Sequence, residues 1–131
     1  MIITAFYAGV LGLLYLVLSL RVVQQRQRGI PLGDRGDPRM LRVIRGHANF
    51  AEYVPLILVM MLMLELGHTS RYLLHALGIV LVAGRVLHGY ALCFTARFRA
   101  GRLWGATLTF AVLLVAGISC VLQGVRGFAL M

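Results

Sequence analysis

The sequence predicts an all-α integral membrane protein, a bundle of four transmembrane helices. Three observations carry that prediction. Hydrophobic residues fill 60% of the 131 positions and only 13% are charged, against roughly a quarter in a soluble domain; mean hydropathy is +0.88. The apolar residues gather into four runs, each near the roughly 20 residues that a helix needs to cross hydrocarbon. The charges fall mostly in the gaps between those runs. A net charge of +9 with no lysine would suit nucleic acid if it covered a soluble face. Placed between apolar runs, it is the pattern of loops facing anionic headgroups. Membrane lipid, not nucleic acid, is the expected partner.

The first span covers about residues 2–23, and its body, IITAFYAGVLGLLYLVLSL, carries no charge. A cleaved signal peptide is the alternative, but no positive stretch precedes the run and no clear small-residue cleavage site follows it. The loop QQRQRGIPLGDRGDPRM reads as turn and coil from its Gly, Pro and Asp. The second span, about 42–66, holds Arg45, Asn49 and Glu52 in its first half. The third, about 71–94, contains Arg85 and His88. The fourth, about 103–126, is uncharged through LWGATLTFAVLLVAGISCVLQGV. Glycines such as Gly9 and Gly12 read as positions of close helix packing. Cys93 and Cys120 read as small buried hydrophobes. No internal repeat or soluble domain shows, so residues 1–131 are expected to form one unit.

Orientation follows from arginine. Seven lie from Arg21 through Arg45 and three more in TARFRAGR, whereas the LGHTSR turn and the C-terminal tail hold only Arg71 and Arg126. Positive-inside counting places both arginine-rich loops in the cytoplasm and both termini outside.

The inner two spans carry the chemistry. At 100° per residue, Arg45, Asn49, Glu52 and Leu56 fall within an arc of roughly 60° on the second helix. Tyr53 flanks this stripe, Arg42 lies one turn earlier and His47 points to the opposite side. Ionisable groups at membrane depth cost about 2.5–3.5 kcal/mol each on insertion scales, so they face a bundle interior or a cavity. An internal Arg45–Glu52 pair locking the bundle and a ligand site are both open readings. On the third helix Arg85, Gly89 and Leu92 share a face with His88 at its edge, and Tyr90 lies to the side. Arg97, Arg99 and Arg102 read individually as membrane-surface anchors. No HExxH, phosphate loop, GxGxxG or serine nucleophile elbow occurs, so no metal is expected.

The motif RxHxNxxEYxP, formed by Arg45, His47, Asn49, Glu52, Tyr53 and Pro55, resembles the second-helix signature of MAPEG, the membrane-associated proteins in eicosanoid and glutathione metabolism. Chain length, the four spans, the arginine-rich first loop and RVLHGYA in the third helix extend the resemblance over essentially the whole chain. It is nearest to the small bacterial, YecN-like branch. The resemblance implies a homotrimer of four-helix bundles in a bacterial inner membrane, with glutathione as co-substrate bound near the cytoplasmic side between subunits. It implies that Arg45, Asn49, Glu52 and Tyr53 bind glutathione, and that His47 reaches a ligand from a neighbouring subunit. Arg85 and His88 match the Arg-x-x-His of the microsomal transferase and prostaglandin E synthase branches. Tyr90 and Arg97 match the spacing of the leukotriene-conjugating branch, in which the corresponding arginine activates the thiol; Val86 stands where that branch has a second tyrosine. Arg85 and Arg97 are therefore alternative catalytic arginines.

These features lead to an expected glutathione S-transferase or glutathione-dependent peroxidase acting on apolar electrophiles. The alternative is a non-catalytic membrane protein that keeps the polar core for assembly or for binding a small anion or lipid. A small multidrug transporter ranks last, because its key glutamate belongs in a first span that here has no acid.

Overall fold

The computed structural model describes residues 2–95 and 97–129. Four helices follow one another: α1 (Ile2–Arg26), α2 (Pro38–Leu66), α3 (Arg71–Cys93) and α4 (Arg99–Ala129). There is no strand among the described residues. All four are long and apolar enough to cross a membrane, as the composition predicts. The shortest, with 23 residues, spans about 35 Å at 1.5 Å per residue, more than the roughly 30 Å of hydrocarbon.

Local chemistry sets the ends of α2. Asp37 is its N-cap: the carboxylate Oδ1 accepts the backbone N–H of Arg39 at 2.7 Å and of Met40 at 3.0 Å. Pro38 follows at the first helical position, where a missing N–H costs nothing. These two residues start the helix four positions ahead of the expected span, so Arg42 and Arg45 lie on a regular helix. The loop before it turns through Gly29, at φ +97°, and Gly36, at φ +76°, a region that suits glycine. At the other end of α2 the Glu65 carboxylate accepts the N–H groups of Ile3 at 3.1 Å and Thr4 at 2.9 Å. It thereby satisfies two of the orphan donors at the start of α1.

The helices pack so that α2 and α3 touch each other while α1 and α4, among the described residues, do not. In cross-section α2 and α3 are the central pair, with α1 and α4 on the flanks. The outer helices are mostly apolar walls, and Arg45, Asn49, Glu52, Arg85 and His88 ride on the inner pair. Leu11, Leu18, Ile57, Met61, Leu64, Leu74, Leu81 and Val112 fill the core. Lipid tails are as apolar as leucine, so tight contact between helices depends on small residues and polar bonds. Tight points include Gly84 against Gly105, Gly46 against Cys93 and Leu92, Gly78 against Tyr7, and Gly89 against Leu18. Gly9 and Gly12, expected as packing positions, are exposed with nothing within 4 Å of an added Cβ. They lie on the outer side of α1, which the period of the sequence alone does not distinguish from the inner side. Cys93 and Cys120 are both free; Cys93 is buried in the space that the missing side chain of Gly46 leaves.

Candidate functional site

The crossing of α3 and α4 builds the site. A Cβ on Gly105 would lie 2.7 Å from the Gly84 carbonyl oxygen and 2.7 Å from the His88 backbone. Only glycine allows this approach. It brings two carbonyls of α4 to the polar residues of α3. The Gly105 oxygen accepts from Arg85 Nη2 at 3.4 Å, and the Arg102 oxygen lies 3.1 Å from His88 Nδ1. A carbonyl only accepts, so Nδ1 carries the proton, and Nε2 is left as an acceptor without a protein partner among the described residues.

The second link joins α3 to α2. Arg85 Nη1 donates to Asn49 Oδ1 at 3.1 Å and to the Asn49 backbone oxygen at 3.4 Å. Arg85 is 2% exposed, so this guanidinium is a buried strut between α2, α3 and α4.

In front of the strut lies a cleft of about 500 Å³, lined by Leu41, Arg42, Arg45, Asn49, Glu52, Tyr53, His88, Leu92 and Arg102. Three guanidinium groups and one carboxylate share it. The Tyr53 ring meets the edge of Phe110 at 5.4 Å between centroids, which holds one wall. The cleft sits at the arginine-rich end of the bundle, where α2 and α4 begin and α3 ends. Among the described residues no group of three His, Cys, Asp or Glu side chains could hold a metal ion.

Of the residues singled out from the sequence, Arg45, Asn49, Glu52, Tyr53 and His88 line this cleft together. Four others do not. His47 is on the α1 side, with its ring stacked on Tyr15 at 4.6 Å and Nε2 3.2 Å from Ser19 Oγ. Tyr90 is 55% exposed and stacks on Phe94. Arg97 is exposed in the connector between α3 and α4, outside the cleft lining. Arg85 touches the cleft only through Asn49. The internal Arg45–Glu52 pair, one of the two open readings, is also absent among the described residues: both side chains are exposed on the cleft wall. The arc that placed them on one face was right, but that face opens to a cleft instead of closing into a core.

Arg102, like Arg42, lines the cleft although the sequence did not assign it to the site. Read as a surface anchor, it proves to be in the first turn of α4, which begins at Arg99. Its signal was the spacing of Arg102, Gly105 and Thr109, at i, i+3 and i+7, with the two small residues marking the face that packs on α3.

The model of the MAPEG family matches residues 4–122. The chain belongs to the MAPEG family. Inner membrane protein YecN of Escherichia coli strain K12 is 36% identical over 114 residues, 86% of this chain and 86% of that one. YecN of Escherichia coli O6:H1 strain CFT073 is similar to the same degree. MAPEG proteins include glutathione transferases and peroxidases, and the name YecN states a membrane location without an activity. For a MAPEG protein the RxHxNxxEYxP stripe is now placed: Arg45, Asn49, Glu52 and Tyr53 face one cleft, and His47 faces away from it.

Proposed function

We propose that the chain is a membrane-embedded glutathione-binding protein acting as a glutathione S-transferase or glutathione-dependent peroxidase on apolar electrophiles. The observation that carries this reading is the one cleft that gathers Arg42, Arg45, Arg102, Glu52, Asn49 and His88. Glutathione has two carboxylates, one ammonium and one thiol. Arginine forks suit carboxylates bidentately, and a glutamate suits the ammonium. Arg102 suits the thiol. A guanidinium stays protonated, so it favours the thiolate by charge and hydrogen bonding and does not act as a base. Arg102 takes the role expected of Arg97 because it lines the cleft.

The thiolate then attacks an electrophile that enters from the lipid side. In transfer, a sulfur–carbon bond forms and the leaving group departs with its electron pair. In the peroxidase reaction, sulfur attacks the peroxide, the O–O bond breaks and an alcohol and a sulfenic acid result; a second glutathione reduces the latter, giving disulfide and water. The working unit is a homotrimer in a bacterial inner membrane, with the arginine-rich end in the cytoplasm and both termini outside. His47 and Tyr15 lie on the α1–α2 side, away from their own cleft, and so enter a site only from a neighbouring subunit.

Calorimetry with glutathione on purified protein in detergent tests the reading, together with conjugation of chlorodinitrobenzene. Saturable binding lost in Arg45→Ala, and conjugation lost in Arg102→Ala but kept in Arg97→Ala, is the expected result. A folded protein that binds no glutathione would overturn it.

A further inference from the structure

Arg85 is the most buried charge beside the cleft, and its partners are unusual. Its hydrogen bonds go to three neutral oxygens: Oδ1 and the backbone carbonyl of Asn49, and the carbonyl of Gly105. Its Nε–H is buried with no acceptor among the described residues. No carboxylate pairs with it among those residues. At 2% exposure, a neighbouring subunit cannot reach it with an acid unless the bundle opens. An ionised group held at membrane depth without a counter-charge is expensive and marks a site of function.

Two consequences follow from elementary hydrogen bonding and charge. A guanidinium has donors only, so the atom that Asn49 turns towards it is oxygen. The Asn49 NH₂ group, with two donors, is therefore turned away from Arg85, on the side where Asn49 lines the cleft. The buried positive charge also acts on the cleft itself, where Arg42, Arg45 and Arg102 already outnumber Glu52.

We propose that Arg85 is a positioning residue that works through Asn49. It pins the side chain as a donor towards an acceptor oxygen of the ligand, and it supplies a positive charge that only an anionic ligand compensates. This rests on the glutathione reading of the cleft and deepens it. The preferred bound form is the more anionic one, with negative charge on the sulfur group, and Arg85 contributes to that preference without touching the ligand.

The test uses the full-length protein in detergent and two probes. Glutathione sulfonate carries a permanent anion where glutathione has its thiol; S-methylglutathione is neutral there. Wild type binds the sulfonate more tightly. Arg85→Gln, which loses the charge, and Asn49→Asp, which cancels it in place, each reduce that preference at least about fivefold. Arg85→Lys keeps the charge without the fork, so it keeps the preference while weakening both probes. With no ligand present, Asn49→Asp gives Arg85 its missing counter-charge and raises the melting temperature by at least about 3 °C. An unchanged preference in Arg85→Gln, or a melting temperature that stays or falls in Asn49→Asp, would overturn the proposal. If wild type binds neither probe, the glutathione reading and the ligand half of the proposal both fall. The Asn49→Asp melting shift then still decides, by itself, whether Arg85 lacks a counter-charge.

Discussion

Replacing Gly105 by alanine puts a methyl carbon 2.7 Å from the Gly84 carbonyl oxygen and from the His88 backbone nitrogen and Cβ. Ordinary van der Waals contact starts near 3.4 Å, so α4 has to back away from α3 by about 0.7 Å, and both obstacles are on a helix backbone that cannot turn aside. The Arg85–Gly105 bond, already 3.4 Å long, does not survive such a shift, and the His88–Arg102 bond at 3.1 Å is stretched. Overpacking of this kind costs about 1–3 kcal/mol, and a lost hydrogen bond to a charged group adds about 1.5–3 kcal/mol at most. The alanine recovers about 0.4–1 kcal/mol by restricting the unfolded chain. The expected net result is a loss between about 1.5 and 5.5 kcal/mol. Gly117→Ala is the control, because nothing lies within 4 Å of its added Cβ; it should be neutral or slightly stabilising. Both variants are compared by reversible denaturation in mixed micelles. Equal stability of Gly105→Ala and Gly117→Ala would refute the close crossing as the feature that builds the site.

Other expectations follow from the same geometry. Arg45→Met, Glu52→Leu and the double variant should each stay within about 0.5 kcal/mol of wild type in that assay, since exposed charges contribute little; a large loss in one single variant that the double variant repairs would restore the buried pair. Hydrogen bonds from the Met40 and Arg39 N–H groups hold the Asp37 carboxyl below its usual value of 3.8. Its stabilisation is therefore present above that value and lost as pH falls through the lower folded one. The advantage of wild type over Asp37→Asn in melting temperature should hold above pH 3.8 and shrink as pH falls below that value, and an advantage that does not shrink on further acidification would count against the cap. Glu65→Gln weakens the tie to Ile3 and Thr4, so amide exchange in the first turn of α1 should accelerate while the middle of α2 is unaffected; exchange unchanged in that turn would mean the tie is not formed in solution.

What sequence alone determined is the architecture and one face of the site. Spans are legible because hydrocarbon thickness imposes a length and bars unpaired charge, a constraint written locally in each run of residues. The arc of Arg45, Asn49 and Glu52 is legible because a helix repeats every 3.6 residues whatever it packs against. Helical period cannot say which neighbour a face meets. The same spacing suited an internal Arg45–Glu52 pair and an open cleft, and only the docking of α3 and α4 decided for the cleft. Arg85, Arg97 and Arg102 look alike along the chain. The 2.7 Å approach that Gly105 permits separates them, with Arg85 buried behind Asn49, Arg102 on the cleft wall and Arg97 outside. Gly9 and Gly12 show the same limit from the other side, because a small residue allows close contact only where a second helix arrives to use it. That arrival is a property of the whole packed bundle, and it is the part that tertiary structure alone supplied.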